Sequence, residues 1–444
     1  MNSIVDRNSS PQLVTWSRSV PVRYHADVAV IGGGIAGVSA AAAAARSGAS
    51  VVLVERFGVT GGNMTVGGVA NFCGETAGQG EVFDEILRHL ERFDAIVPYE
   101  PFAYGGCQSR VLDHEILAVI LQEVLLERGV KLLLHTRFVD VIERDGRLAE
   151  AIVAGPSGPE ALRANHFIDC TGDGLVAKAA GYAVEKGRAE DQLQLPMSLM
   201  FFVREMGEPV PDQLPDGWFQ PIRERDDLPM TSPNWPNGPR GRAIKVKVPM
   251  FDSTDTESMT AAEIAARRRM LEVLSYFQAV ERKDWRFDHC SPIIGIREGY
   301  RIVGRYQLRV DDLRAGREFD DAVARGVFYL DGHKPDDDKR TYILPKDELY
   351  VPPYQIPFRC LVPRDGRNLL MAGRCMSADQ LALSSARVTT TCSMMGQAAG
   401  IGAAMAASRG ADAADLDPLE VRREVERRGA HLAVDESPPA PLRG

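Results

Sequence analysis

An α/β fold with a parallel sheet is predicted by three observations near the start of the chain. The apolar, β-branched run at residues 28–31 ends at a turn with the pattern Gly32-x-Gly34-x-x-Gly37. An alanine-rich helix follows at residues 35–46, and a second apolar run at residues 51–54 ends in Glu55. A strand, a glycine turn, a helix and a strand in this order form a βαβ unit, whose two strands are parallel.

The glycine turn indicates a dinucleotide-binding site. Gly32 permits the tight turn, Gly34 lets the backbone approach a pyrophosphate, and Gly37 lets the helix lie close to the strand. Free N–H groups and partial positive charge at the helix N-terminus stabilise an anion. Glu55 follows Gly37 by eighteen residues, and at about this spacing the fold places a carboxylate that accepts hydrogen bonds from ribose hydroxyls.

Composition indicates a folded globular protein and argues against nucleic-acid binding. Hydrophobic residues make up 45% and charged residues 25% of the chain, which is ordinary for globular proteins. The net charge of −9 leaves no basic stripe for nucleic acid. Residues 1–24 contain no apolar run long enough for a signal sequence or a membrane span, so we expect a cytoplasmic protein without a membrane span. The seven cysteines form no CxxC pair, so neither a disulfide framework nor a metal site is predicted.

The length of 444 residues favours two large domains over one. We predict a loose N-terminal arm at residues 1–26 and a cofactor-binding domain made of residues 27–184 and 361–410. Residues 185–360, where proline and tryptophan become frequent, are predicted to form an inserted α+β substrate domain. Residues 411–444 are predicted to be a charged C-terminal tail.

Local patterns predict further elements of the fold. Helical periodicity predicts helices at residues 81–93, 114–128, 260–281 and 390–408, the second of them with Asp113 as its N-cap. The Asp145-Gly146 pair predicts a hairpin turn between two short strands. Further strands are predicted at residues 130–135, 166–170 and 368–371.

Four blocks of sequence resemble a known family, the FAD-dependent oxidoreductases with the glutathione reductase fold. Within that family the resemblance is to the bacterial flavoproteins in the neighbourhood of fumarate reductase and heterodisulfide reductase. The third and fourth blocks together make it specific. The blocks are residues 28–65 with the GxGxxG turn, residues 168–174, residues 294–304 and residues 368–400.

The resemblance implies a Rossmann-like FAD-binding domain of glutathione reductase type with an inserted substrate domain. It also implies an extended FAD, with the adenosine ribose on Glu55, the pyrophosphate over Gly34 to Gly37, and the flavin ring near Gly373-Arg374 and Gly396-Gln397. Positive dipole at the start of the last helix would stabilise negative charge on the flavin. The motif and the resemblance together predict these cofactor-binding residues: Gly32, Gly34, Ile35, Ala36, Gly37, Glu55, Arg56, Gly61, Gly62, Asn63, Met64, Thr65, Arg110, Val139, Thr171, Gly172, Asp173, Gly373, Arg374, Gly396 and Gln397.

Substrate binding and proton transfer need side chains that the flavin does not supply. Arginine binds a carboxylate at two points and keeps its charge. The candidate catalytic residues are Arg297, Arg301 and Arg387 for binding, and Tyr300, Glu298 and Asp379 as proton carriers. In the family that the chain resembles, many members carry a histidine soon after the aspartate at 379, whereas Gln380 and Leu381 follow here. Cys375 lies near the predicted flavin site, which leaves a covalent flavin link open.

The predicted function is that of an FAD-dependent oxidoreductase acting on a small organic substrate. Hydride transfer to or from flavin N5 would serve dehydrogenation, desaturation or the reduction of an activated double bond. Two alternatives remain open: an NAD(P)H-dependent flavin monooxygenase, and a flavin-containing binding or assembly subunit with a vestigial redox site. Because no second GxGxxG turn is followed by a strand and an acid, no dedicated NAD(P)H domain is predicted. A homo-oligomer is compatible with the sequence.

Overall fold

The computed structural model describes residues 13–98, 109–212 and 214–434; residues 1–12 of the predicted arm, residues 435–444 of the predicted tail and Cys107 lie outside them. The helices are α1 (Ile35–Arg46), α2 (Glu81–Arg92), α3 (His114–Leu126), α4 (Leu175–Ala179), α5 (Thr256–Ala279), α6 (Val310–Arg314), α7 (Gln380–Ala386), α8 (Thr389–Arg409) and α9 (Pro418–Arg427). The strands are β1 (Val22–Ile31), β2 (Val51–Val54), β3 (Asn71–Cys73), β4 (Ser109–Val111), β5 (Lys131–Leu133), β6 (Arg137–Arg144), β7 (Arg147–Gly155), β8 (Gly158–Asp169), β9 (Val184–Glu185), β10 (Met197–Glu205), β11 (Thr231–Pro236), β12 (Gly241–Val248), β13 (Trp285–Cys290), β14 (Arg301–Ile302), β15 (Ala322–Gly326), β16 (Tyr354–Pro357) and β17 (Leu369–Met371).

The main sheet confirms the predicted α/β class. Strands β5, β2, β1 and β8 lie side by side and are parallel. The last residues of β8 also pair in parallel with β17, while its first half pairs with β7 in the antiparallel sense. The β6–β7 hairpin turns at Asp145 and Gly146, both with positive φ, as an Asp-Gly turn requires.

A second, antiparallel sheet lies in the order β11, β12, β10, β13. Alternate residues of β10, among them Leu199 and Phe201, join Val246 of β12 and Leu274 of α5 in one buried apolar cluster. That cluster draws on residues 197–296 only. Chain segments from Leu308 onward pack instead with α1 and α8 in the first core, well before the predicted domain boundary at residue 360.

Helices α1 and α8 approach each other closely at two glycines of α8. A Cβ atom at Gly396 would overlap the carbonyl oxygen of Ala36, and one at Gly400 would overlap that of Ala40. The hydroxyls of Ser39 and Ser393 meet at 2.7 Å across the same contact. The N-terminus of α1 is therefore held in place by a backbone-to-backbone contact that only glycine permits.

We expect a Gly400→Ala variant to lose roughly 1–3 kcal/mol of unfolding free energy, because overpacking here meets backbone that cannot move aside. Gly402→Ala is the matched control on the same helix, since its methyl group would meet only side-chain atoms of Phe358 and Leu370 and no backbone. Urea unfolding followed by circular dichroism measures both variants. Equal stabilities would contradict the packing argument.

Two elements extend beyond the sequence predictions. Strand β1 begins at Val22, inside the predicted N-terminal arm, and its early part pairs with β8. Within the predicted C-terminal tail, α9 buries Val421 and Val425 completely in the first core. None of the helices in the described ranges combines the length and the apolarity that a membrane crossing needs.

Acid should destabilise the fold through His166 of β8, which is 1% exposed. Burial, with the nearby charge of Arg147, lowers the pKa of this imidazole from 6.5 to about 4. Between pH 6.5 and pH 4 the imidazole therefore binds a proton in the unfolded chain but not in the folded chain. The free energy of unfolding consequently falls as the pH falls. We expect this residue to lower the free energy of unfolding by up to about 3 kcal/mol when the pH is lowered to 4.

The measurement is urea unfolding of the parent and of His166→Gln at pH 7 and pH 4. The variant should lose less stability on acidification than the parent does. His25→Gln, an exposed position on β1, is the control and should behave as the parent. An unchanged pH dependence in His166→Gln would count against this assignment.

Candidate functional site

A large cavity lies between the carboxyl ends of the parallel strands and the second sheet. Ile31, Val54 and Cys170 at or next to the ends of β1, β2 and β8 line one side. Ser198 and Met200 of β10 line the opposite side. The cavity encloses about 310 Å³. Ligands of open α/β sheets bind at this edge, outside the carboxyl ends of the strands.

The glycine turn fits a pyrophosphate. Gly34 is the N-cap of α1, where no side chain caps the helix and no acidic residue occupies the first turn. Nothing lies within 4 Å of the position that a Cβ atom would take at Gly34, so protein packing does not require glycine there. At Gly37 a Cβ atom would overlap the carbonyl oxygen of Gly32. Gly37 is thus needed for packing, whereas the open space at Gly34 suits a ligand that approaches the backbone.

Glu55 lies at the cavity with its side chain held by backbone N–H groups. Gly33 N–H donates to one carboxylate oxygen at 2.6 Å, and Phe57 N–H donates to the other at 2.9 Å. Burial raises the pKa of Glu55, and these two hydrogen bonds oppose that effect. A carboxylate has lone pairs for about four hydrogen bonds, so the oriented side chain retains acceptor capacity for ribose hydroxyls.

The part of the cavity lined by the second sheet and its flanking loops is rich in positive charge. Lys245 of β12 and Arg297 face it, together with Arg387, which lies between α7 and α8. Arg387 Nη2 lies 3.2 Å from the carboxylate of Asp331. Arg297 Nη1 donates to the carbonyl of Pro196 at 2.6 Å and to the hydroxyl of Ser198 at 2.7 Å.

Burial and mutual repulsion govern the ionisation of this cluster. Burial by itself would raise the pKa of Asp331, but His333, Arg387 and Lys245 outweigh it and hold that pKa well below its usual range. Burial and the charge of Arg297 lower the pKa of His333 to about 3 and that of Lys245 to about 8. At neutral pH Asp331 is therefore ionised and His333 neutral. Lys245 keeps its charge but titrates close to neutrality.

A buried lysine holds the loop that carries Asp331 and His333. Lys247, on the same face of β12 as Lys245, is completely buried. Its ammonium group donates to the carbonyls of Lys334 at 3.1 Å and Arg340 at 2.6 Å. The loop is therefore tied to the second sheet beside the cationic cluster.

Most of the predicted cofactor-binding residues line this cavity. Thr65, which does not, bonds the carbonyl of Thr60 and so supports the Gly61 turn. Asp173 reaches the site only through Arg374, at 3.3 Å. The predicted residues that line the cavity are Gly32, Gly34, Ile35, Ala36, Glu55, Arg56, Gly61, Gly62, Asn63, Met64, Thr171, Gly172, Gly373 and Arg374.

Four predicted cofactor residues are placed away from the cavity. Arg110 bonds the carbonyl of Val97 and the carboxylate of Glu91. Val139 is 54% exposed; residues 136–138 line the cavity instead. Gly396 and Gln397 lie two turns inside α8, because that helix begins at Thr389; Gly396 serves the contact with α1, and Gln397 accepts from Val82 N–H. The N-terminal turn of α8, with Val388 and Thr389, is the part that faces the cavity.

Among the predicted catalytic residues, the structure brings only Arg297 and Arg387 to the cavity. Arg301 and Glu298 form a buried ion pair that also binds backbone groups of Gly187 and Leu195. Asp379 caps α7 through Ala382 N–H and accepts from Val310 N–H. These three side chains have structural roles, because each already forms an ion pair or hydrogen bonds with other groups of the protein.

Tyr300 and Cys375 also lie outside the cavity lining. The hydroxyl of Tyr300 bonds Lys178. The Cys375 thiol is completely buried and donates to the carbonyl of Asp169 at 3.3 Å. Burial raises its pKa well above the ordinary value, and its position argues against a covalent flavin link.

The sequence reasoning missed Lys245, Asp331, His333 and Tyr329. Tyr329, Lys245 and Asp331 line the cavity, and His333 lies 3.1 Å from Asp331. Lys245 and Lys247 alternate with Ile244, Val246 and Val248, the pattern of a strand with one solvent-exposed face, so the sequence gives no sign that these lysines are buried. No local pattern marks the loop of Asp331.

The chain is similar to several known proteins over part of its length. Curated thiamine thiazole synthases are similar over 40% of this chain: that of Aeropyrum pernix at 30% identity and that of Pyrococcus abyssi at 26%. The match spans only 66% of the Aeropyrum protein and 71% of the Pyrococcus protein.

BexE, studied for oxidation during BE-7585A biosynthesis, is 16% identical and matches over 91% of this chain and 67% of its own, with a TM-score of 0.49. A geranylgeranyl bacteriochlorophyll reductase-like protein of Thermoplasma acidophilum is 13% identical over 92% of this chain and 84% of its own, with a TM-score of 0.49.

The family model described as FAD dependent oxidoreductase matches residues 27–425. The match covers the glycine turn, both sheets and the residues that surround the cavity. The cofactor predicted from the sequence is thereby confirmed as FAD, and the protein is an enzyme. The chain belongs to the FAD dependent oxidoreductase family.

Proposed function

We propose that this enzyme oxidises or reduces a small organic substrate by hydride transfer to or from flavin N5. The reaction would be a dehydrogenation, a desaturation or the reduction of an activated double bond. One observation carries the proposal: the same cavity contains the open glycine turn of α1 and the cationic cluster beside the second sheet. The turn that would bind the cofactor therefore lies in the same cavity as the cationic side chains that would bind the substrate.

Different residues of the cavity would bind different parts of the cofactor. Gly34 and the N-terminus of α1 would receive the pyrophosphate, and Glu55 the adenosine ribose. The N-terminus of α8, which has no side-chain cap and no acid in its first turn, would place positive dipole near the flavin. FAD supplies the hydride chemistry when bound.

The chain itself would bind the substrate and manage the proton. Arg297 and Arg387 orient polar groups of the substrate, since both face the cavity. Lys245 Nζ can hold or release a proton near neutral pH, because burial and Arg297 lower its pKa to about 8. A group that titrates near the working pH is suited to general acid or base catalysis.

The test is an anaerobic screen of small organic compounds against the FAD-loaded protein, with loss of the flavin absorbance as the signal. We expect at least one alcohol, amine, saturated acid or carbonyl compound to bleach the oxidised flavin, or an activated alkene to restore it after chemical reduction. FAD that no compound of the screen reduces or reoxidises would contradict the proposal. Consumption of NAD(P)H that requires both substrate and oxygen would indicate a monooxygenase instead.

A further inference from the structure

Among the described residues, the cationic cluster contains more cationic side chains than carboxylates. Lys245, Arg297 and Arg387 carry three positive charges, and Asp331 supplies one negative charge. His333 is neutral at pH 7 because its pKa is about 3. Within the described ranges, no carboxylate forms an ion pair with Arg297. A buried arginine without a carboxylate partner is unfavourable, so the surroundings of Arg297 suit an anion.

Arg297 presents the geometry of a carboxylate receptor. Its Nη1 is engaged by the carbonyl of Pro196 and the hydroxyl of Ser198, both neutral groups, and the side chain is 9% exposed. Within the described residues no hydrogen bond uses Nε or Nη2. These two nitrogens form one edge of the guanidinium plane, which matches the two oxygens of a carboxylate.

A second hydrogen-bond donor, on Arg387, also favours a bound anion. Arg387 Nε is buried and has no hydrogen-bond partner in the described part of the chain, although Arg387 Nη2 contacts Asp331. A buried donor without a partner costs free energy. An anion in the cavity beside Arg297 would bring an acceptor close to Arg387 as well.

The phosphates of FAD are provided for elsewhere. The open turn at Gly34 and the uncapped N-terminus of α1 belong to the parallel sheet. Lys245 and the partners of Arg297, by contrast, belong to the second sheet and its flanking residues. The FAD phosphates would thus have a positively polarised region of their own, apart from the cationic cluster.

We propose that the substrate of this enzyme carries a carboxylate, which the Nε–Nη2 edge of Arg297 binds, with Lys245 and Arg387 adjoining. This inference rests on the proposed function, because it names the substrate class of the same cavity. It does not depend on the direction of the redox reaction.

The test is binding, measured by perturbation of the flavin spectrum of the FAD-loaded protein at constant ionic strength. The probes are acetate, lactate, succinate and benzoate, with their primary amides and inorganic phosphate as comparisons. We expect at least one acid to give a saturable spectral change that its amide does not give. Arg297→Met should weaken that binding at least tenfold, and Arg297→Lys should restore only part of it.

Arg242→Met is the matched control. Arg242 lies on β12 like Lys245 but pairs with Glu205 outside the cavity, so its removal should leave acid binding unchanged. Circular dichroism and FAD content of each variant show whether it is folded. If Arg297→Met does not fold, the lysine variant decides the matter, and acid binding at parental strength in that variant would contradict the proposal.

Three other outcomes overturn the inference: acids and amides bind equally, no acid binds, or phosphate binds more tightly than every acid. Reduction of the flavin by neutral compounds alone would also overturn it, while leaving the proposed hydride transfer in place. Conversely, acid binding that depends on Arg297 in a protein whose flavin no compound reduces would support the carboxylate site and contradict the proposed function.

Discussion

A Gly34→Val variant should fold like the parent and bind FAD about a hundredfold more weakly, a loss of about 2.8 kcal/mol. The glycine has φ −63° and ψ 177°, which valine adopts without strain. Nothing in the protein lies within 4 Å of its Cβ position. The new side chain would instead occupy the space through which a pyrophosphate reaches the backbone N–H groups of α1.

Titration of apoprotein with FAD, followed by quenching of flavin fluorescence, measures the affinity. Gly34→Ala should show a smaller loss, and Gly37→Ala serves as the contrast. A methyl group at Gly37 overlaps the carbonyl of Gly32, so that variant should lose stability as well as FAD. Parental affinity in Gly34→Val would show that the pyrophosphate does not lie over this turn.

The second large effect is expected at the ion pair between Arg387 and Asp331. Both side chains are largely buried, 11% and 17% exposed. Arg387→Met should lower the unfolding free energy of the apoprotein by roughly 1–3 kcal/mol, because the buried carboxylate of Asp331 loses one ion-pair partner and keeps only His333 and Lys245 nearby. The apoprotein is the right form to measure, since bound FAD would add its own stabilisation.

A double-mutant cycle separates this pair from its surroundings. The variant with both Arg387→Met and Asp331→Asn should be more stable than the sum of the two single losses indicates, because neither charge is then left alone. The control is Arg364→Met, which breaks an exposed pair with Asp365 and should cost less than about 1 kcal/mol. Strict additivity of the two cavity substitutions would mean that Arg387 and Asp331 do not stabilise each other.

Sequence reasoning succeeded where the physical cause is local. The GxGxxG turn, the helix after it and the position of Glu55 all follow from residues within one βαβ unit. Asp113 caps α3 by accepting from Glu115 and Ile116 N–H, as its place in the sequence predicted. The Asp145-Gly146 turn was likewise predictable, because it depends only on the backbone conformation of these two residues.

The same reasoning failed where the cause is contact between distant segments. Gly396 looked like a cofactor residue, but it permits the approach of α1 and α8. Arg301 and Glu298 were predicted to be catalytic, but they form an ion pair with each other. Residues 418–427 look like a charged tail, yet Val421 and Val425, one helical turn apart, are buried in the first core and pack α9 on it.

Short-range hydrogen bonding and backbone preference thus determine the cofactor cradle, and they can be recognised in the amino-acid sequence alone. The cationic cluster depends on which face of β12 meets the cavity and on how one loop folds over it. Lys245, Arg297, Asp331 and Arg387 are brought together from segments far apart in the chain. Only long-range packing sets that arrangement, because no single segment contains the charges that must balance one another.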